Sequence, residues 1–412
     1  MTELTEKKDK IIDFITVTEA LSSKGKLDAI GGVAYLNTIN DMVPSVVNFR
    51  QYFDIVKKNS VLRKLGAAAK KILDSSFASD DEAVTLSEAE KAIFDISRED
   101  EHKELTPISD ELPAVMNRLD TIRRDPTALY GVQTGFYDID KITNGFHSGE
   151  LIILAARPGI GKTSLGLNMI MNAALNTEKK CAIFSLEMNK ESLTQRAICS
   201  LAKVSSYKAG RGELSEKEWA RLFKATDILS KASIYIDDNS EIGHSEIKRK
   251  CMRLKREQGL DFIMVDYLGL MNAGTANKYD NRQVEVAANS RAMKILAKEL
   301  EIPVLLIAQL NRNVETRSRK GDNAIPELYD LRESGAIEQD ADIVMFIHMN
   351  KPSESEEIED NSVQEAYVKI AKHRNGPVGT VKLEWHKETT TFTNQQVAQA
   401  AQDARDAIKP QN

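Results

Sequence analysis

Nine residues constrain this chain more than any others: Ala155-Ala156-Arg157-Pro158-Gly159-Ile160-Gly161-Lys162-Thr163 follow the apolar run 151–155 and precede a helix-like stretch, 164–175. A strand that passes through a glycine-containing loop into a helix is an arrangement that binds phosphate. Main-chain N–H groups and the positive helix N-terminus face the anion, a lysine reaches the β- and γ-oxygens, and a hydroxyl ligates Mg²⁺. Arg157, Pro158, Gly159, Gly161, Lys162, Thr163 and Ser164 are therefore candidate nucleotide-binding residues, with Thr163 also a metal ligand. The strict pattern has glycine where Ala156 stands; the strand–loop–helix context carries the reading across that departure.

Such a site also needs a carboxylate at the end of a neighbouring strand, and the run 262–265 ends in Asp266. Asp266 is the candidate Walker B aspartate and second Mg²⁺ ligand. Tyr267 follows it rather than a second acid, so a base that activates water has to come from another strand. Glu187, at the end of 181–186, is assigned that role, with a plain strand-end cap as its alternative. Gln309 ends the run 304–308, and its amide can donate to phosphate and accept from water, which makes it a candidate γ-phosphate sensor.

The 412 residues allow roughly two to three domains at about 150 residues each. Residues 8–95 read as all-helical: Ile11, Ile12, Phe14, Ile15 and Leu21 recur at helix spacing, as do Tyr52, Ile55, Val56, Leu62, Leu65 and Ile72. Gly31-Gly32 and Pro44 fall in the turn between, and Asn48 is placed to cap the second helix, so a helical hairpin is expected. A lone hairpin buries too little to stand alone and needs a bundle or another subunit. The charged stretch 96–109 reads as a linker, and Leu112, Val115, Met116, Leu119 and Ile122 then mark one amphipathic helix that must dock on something.

From Gly131 the rhythm changes to short apolar runs separated by helical lengths: 151–155, 181–186, 233–236, 262–265, 304–307 and 343–347. That is an α/β fold with a mainly parallel central sheet covered on both faces. Three further strands are expected at 366–371, 381–385 and 390–392, before an Ala/Gln-rich tail expected to fray. The resulting division is a helical domain at 1–95, a linker with a docking helix at 96–127, a nucleotide-binding domain at 128–394 and a tail at 395–412.

Lys plus Arg number 56 against 62 Asp plus Glu, a formal net charge of −6. A general surface attraction to polyanions is excluded, so any nucleic acid must meet cations concentrated in a groove, channel or loop. Cys181, Cys199 and Cys251 are an odd count without CxxC spacing and read as reduced core thiols of a cytosolic protein. The polar first ten residues and the lack of any apolar run of about 18 residues predict neither export nor a membrane span.

These residues, with their flanks, resemble the DnaB family of replicative hexameric helicases, whose motor is a RecA-like ATPase domain. The resemblance runs from about Asp13 to Phe392. Thr134-Gly135-Phe136 through Leu154 resembles the family's approach to the P-loop, Phe184-Ser185-Leu186-Glu187-Met188 its catalytic-glutamate motif and Asp266-Tyr267-Leu268 its Walker B motif. Gln309-Leu310-Asn311-Arg312, the run from Asp330 to Asp342 (DLRESGAIEQDAD) and Lys372-His373-Arg374-Asn375-Gly376-Pro377 continue the match, the last two being the more specific to this family. At the front only the later part of the family's N-terminal domain is matched, by residues 13–17 and 25–32, so a shortened collar is expected.

The resemblance implies an ATP- and Mg²⁺-dependent DNA helicase of the bacterial cytoplasm, cellular or phage-encoded. It implies a homohexamer on single-stranded DNA that moves 5′ to 3′, with a primase and a helicase loader as partners. Lys372 and Arg374 would reach the γ-phosphate bound by the neighbouring subunit. Arg332, Glu333 and Gly335 would meet the DNA backbone. A second pore loop is expected around 273–283 with Arg282 as a further DNA contact, and Arg312, Arg317, Arg319 and Lys320 add charge nearby. The helix 112–124 would be the linker helix that docks on the adjacent subunit. Two competing readings are a nucleotide-gated DNA-binding scaffold and a RecA-like recombinase filament; the KHRNGP segment and the helical collar argue against the filament.

Overall fold

The computed structural model describes residues 14–41, 49–78, 85, 89, 92, 107–125, 130–271, 282–310, 325–331, 335–349 and 363–395. The chain divides into two compact units, Met1–Val115 and Met116–Asn412.

The first unit holds helices α1 (Phe14–Ser23), α2 (Gly32–Asp41) and α3 (Phe49–Ala78). The segment expected to be only a turn between two helices thus contains a helix of its own. Gly31, with φ 99°, closes the short 3-10 turn Asp28–Ile30 by donating its N–H to the Asp28 carbonyl, and a new helix starts at once. Asn48 lies outside the described residues. Tyr52, Phe53, Ile55, Val56, Leu62 and Leu65 are exposed, and the buried apolar clusters of the described residues include nothing from this unit.

Helix α4 (Ile108–Arg124) opens with Asp110 and Glu111 and closes with Arg123 and Arg124, charges that suit the two ends of the helix dipole. Its apolar stripe, Leu112, Val115, Met116, Leu119 and Ile122, is exposed.

The second unit runs α5 (Tyr137–Thr143), β1 (Leu151–Ala156), α6 (Lys162–Asn176), β2 (Cys181–Ser185), α7 (Lys190–Ala202), α8 (Ser206–Arg211), α9 (Glu216–Ser230), β3 (Ile234–Asp237), α10 (His244–Glu257), β4 (Phe262–Asp266), α11 (Arg282–Leu300), β5 (Val304–Gln309), α12 (Gly335–Asp340), β6 (Ile343–Met349), β7 (Val363–His373), β8 (Gly379–His386) and β9 (Thr391–Asn394). Its sheet has the order β3-β2-β4-β5-β1-β6-β7-β8-β9. The strands β3 to β6 of that order pair in parallel, as continuous apolar runs with helix-length connections require. The last three strands are joined by antiparallel pairing.

Alternate residues of β1 enter two cores. Ile152 and Leu154 join Leu165, Met169 and Ile170 of α6, whereas Leu151 and Ile153 join Met293, Leu296 and Leu300 of α11. Each such fully buried Leu or Ile contributes about 1.5–3 kcal/mol, so β1 is held firmly from both sides. All three cysteines are buried, and burial, first among the causes, pushes the Cys181 and Cys251 thiols up to about 12. No described helix is long and apolar enough to cross a membrane.

Candidate active site

In sheets of this kind ligands bind beyond the carboxyl ends of the parallel strands. β1 leads there into the phosphate loop, β2 toward Glu187, β4 ends in Asp266 and β5 in Gln309. Gly159 and Gly161 take left-handed φ values of 77° and 91°. The left-handed φ demands glycine at 161, where a Cβ would also sit tightly, 3.1 Å from the Phe392 ring. One turn into α6, a Cβ on Gly166 would lie 3.0 Å from the Met264 sulfur; its lack lets the helix sit close on β4.

The loop brings Lys162, Thr163, Glu187 and Asp266 together. The buried Lys162 places Nζ 2.9 Å from Glu187 Oε2 and 3.9 Å from Asp266 Oδ1. The same ammonium lies 4.9 Å from the centre of the Tyr267 ring. Thr163 Oγ1 donates to Asp266 Oδ2 at 2.6 Å. Asp266 is only 1% exposed, and its Oδ1 has no hydrogen-bond partner among the described residues. Burial raises its carboxyl above the ordinary range, against the Thr163 hydrogen bond and the Lys162 charge. A buried carboxylate oxygen left over beside a hydroxyl suits a hard divalent cation, and the lysine at a helix N-terminus suits phosphate. The residues present therefore fit a nucleotide and its metal.

Glu187 is fixed from both sides. Ser185 Oγ donates to the Met188 carbonyl at 2.7 Å, and Asn189 caps α7 by accepting from Ser192 N at 2.8 Å. Leu186 N donates to the Asp266 carbonyl at 2.6 Å, which ties this turn to β4. The Glu187 side chain itself stays 48% exposed. Gln309 is exposed and lies in register with Ala156 of β1. Arg157 and Ser164 lie at the two ends of the loop, with Pro158 and Gly159 exposed at its tip.

Lys372 and Arg374 do not join this group. In the β6–β7 pair Lys372 stands opposite Val344 and His373 opposite Ile343, while Ile343 pairs with Ile152 near the start of β1. The phosphate loop leaves the other end of that strand, four residues or about 13 Å away at 3.3 Å per residue. Lys372 Nζ donates to the Glu338 carbonyl at 2.5 Å, and Arg374 donates to Asp342 and to the Gln339 carbonyl.

Of the expected DNA contacts, Arg332 and Glu333 lie outside the described residues, as do Arg312, Arg317, Arg319, Lys320 and 273–281. Gly335 opens α12, and Arg282 opens α11 with its side chain outside the description.

Sequence reasoning missed Arg196 on α7. Burial lowers its guanidinium, while the nearby Asp266 and Glu187 carboxylates oppose that shift. No spacing signals this arginine; only the fold brings α7 near the Asp266 and Glu187 carboxylates. Tyr267 was noted only as not being an acid, yet it supplies the aromatic face under Lys162.

Residues 131–394 match the model of the DnaB-like helicase C terminal domain, and residues 1–58 that of the DnaB-like helicase N terminal domain. The chain is 41% identical over 388 residues to the replicative DNA helicase DnaB of Geobacillus stearothermophilus, covering 93% of this chain and 83% of that one. It is 40% identical to the replicative DNA helicase DnaC of Bacillus subtilis (strain 168), with the same coverage of 93% and 83%. Among solved structures, a DnaB-like replicative helicase studied for its interactions with primase matches with TM-score 0.71 and 30% identity, over 94% of this chain and 89% of that one. A second solved structure, an ATPase domain, matches with TM-score 0.64 and 33% identity, over 71% of this chain and 99% of that one. With a phosphate loop, a buried aspartate beside it and a mainly parallel sheet in one frame, the chain belongs to the DnaB family of replicative, ATP-dependent DNA helicases.

Proposed function

We propose that six copies of the chain form a ring around single-stranded DNA, and that each ATP is hydrolysed between one subunit's phosphate loop and a neighbour's Lys372 and Arg374. The observation that carries this reading is the position of those two cations, at the end of the sheet remote from their own Lys162. Cations so placed serve catalysis only by reaching a site on another chain, where they stabilise charge developing on the transferred phosphoryl group. The exposed apolar faces of α3 and α4 supply surfaces for pairing between such subunits.

Within a subunit, the loop N–H groups from Gly159 to Ser164 and the Lys162 ammonium hold the phosphates. Thr163 and Asp266 would hold Mg²⁺, which when bound neutralises charge on the β- and γ-oxygens. Lys162 is paired with Glu187 in this structure, so nucleotide binding exchanges that partner for phosphate and frees Glu187 to take a proton from the attacking water. Gln309, at the edge of the site, senses the γ-phosphate and passes its presence to the DNA-facing loops. Arg332, Glu333, Gly335 and Arg282 meet the DNA backbone, and the ring moves 5′ to 3′ at the fork. A primase and a helicase loader are its partners, in the bacterial cytoplasm.

Subunit dosage tests the shared site. Arg374→Ala chains mixed into wild-type rings should depress ATPase activity more steeply than their fraction, because each substitution disables a neighbour. A linear decline would contradict the shared site.

A further inference from the structure

Lys294, Asp342 and Arg374 form a chain of charges from the interior to the surface, remote from the phosphate loop. Asp342 and Lys294 are each only 6% exposed. Lys294 Nζ lies 2.5 Å from Asp342 Oδ2 and donates to the Gly149 carbonyl at 2.8 Å. Asp342 Oδ2 also accepts from Leu151 N at 2.8 Å, and Oδ1 accepts from Arg374 Nη1 at 3.1 Å. The main chains repeat the linkage: Asp342 N donates to the Leu151 carbonyl and Arg374 N to the Asp342 carbonyl, both at 2.9 Å. Asn375 adds a longer contact, 3.4 Å, to the buried Glu150.

A carboxylate committed at both oxygens and through its peptide has essentially one position. The guanidinium it holds is 45% exposed. Asp342 and the Gln339 carbonyl engage two of its N–H groups, out of the five a guanidinium carries. The remaining donors stand on a side chain whose rotamer is already chosen. A free arginine would have to surrender that freedom at each encounter with a phosphate, and docking it in advance removes the loss from the catalytic step. Lys372 lies near the same acid; burial lowers its ammonium, with the Arg374 charge adding to the effect and Asp342 among the carboxylates opposing it. The same buried acid thus pairs with both Lys294 and Arg374, while Lys372 is held by the Glu338 carbonyl.

We propose that Asp342, with Lys294 as its buried counter-ion, is a positioning residue that presents Arg374 to the nucleotide bound by a neighbouring subunit. This rests on the shared-site reading above. It predicts a defect that belongs to the neighbour's site and leaves the variant's own nucleotide-binding groups intact.

Complementation separates the two claims. Glu187→Gln chains lack their own base but carry an intact Arg374; Asp342→Asn chains keep their own base but present Arg374 loosely. Asp342→Asn alone should lose roughly 10- to 100-fold in kcat for ATP, as expected for loss of a charge-assisted hydrogen bond, with KM little changed. Mixed with Glu187→Gln chains, it should regain activity above the sum of the separate preparations. Arg374→Ala mixed with Glu187→Gln is the control. Recovery in the control without recovery for Asp342→Asn overturns the positioning role, as does a wild-type kcat in Asp342→Asn alone. No recovery in either mixture overturns the shared site and the positioning role with it. If Asp342→Asn leaves Lys294 unpaired and fails to fold, the double variant Lys294→Gln/Asp342→Asn removes both buried charges, and the same mixtures decide the outcome.

Discussion

Asp266 is a residue whose function and contribution to stability oppose each other. Burial raises its carboxyl above the ordinary value of 3.8, so folding favours the protonated form. The sign follows: the folded state binds more protons than the unfolded one between 3.8 and the raised value, and stability falls as pH rises through that window. Above it the full cost of an ionised, buried carboxylate is present, offset in part by Thr163 and Lys162. Asp266→Asn is therefore expected to raise the thermal midpoint of the nucleotide-free protein at pH 8, and to narrow that advantage as pH falls toward 4, while turnover is lost. Thermal unfolding across pH checks this; an equal or lower midpoint at pH 8 would contradict it. The phosphate loop and this aspartate were readable because each stands in a local pattern, strand then loop or strand then acid. The surroundings of Arg196 and Asp342 were not readable, because they arise only when distant segments meet: α7 near Asp266, and the residue before β6 with α11 and the turn after β7.

Among the elements, α7 bears directly on Glu187, since it begins just after the Glu187 turn. Its cap, the Asn189 side chain accepting from Ser192 N, fixes where the helix starts and so where the turn before it lies. Asn189→Ala is expected to cost about 1 kcal/mol of stability and to lower kcat more than nucleotide affinity, because Glu187, the proposed general base, loses its anchor. A denaturation midpoint shift at constant m, together with kcat and KM, measures both; lost stability with unchanged kcat would contradict the link. The strands of the sheet were legible to within a few residues because buried parallel strands are continuous apolar runs. α2 was not, since a glycine pair reads as a break, whereas Gly31 here only closes a 3-10 turn before the chain resumes as a helix.

For the whole molecule, sequence sufficed for the motor's architecture and, through the family resemblance, for the expectation of a shared site, but not for where the two cations lie in the sheet. Apolar runs at helix-length spacing predicted the sheet, and pairing register then placed Lys372 and Arg374 at the end remote from their own phosphate loop. Apolar side chains left exposed on α3 and α4 fit the proposal of a shared site. The most direct measurement is unwinding of a forked DNA duplex with ATP and Mg²⁺, run beside DNA-stimulated ATPase on the same preparation. Strand separation that requires a 5′ single-stranded tail is the predicted result; stimulated ATPase with no strand separation would contradict it.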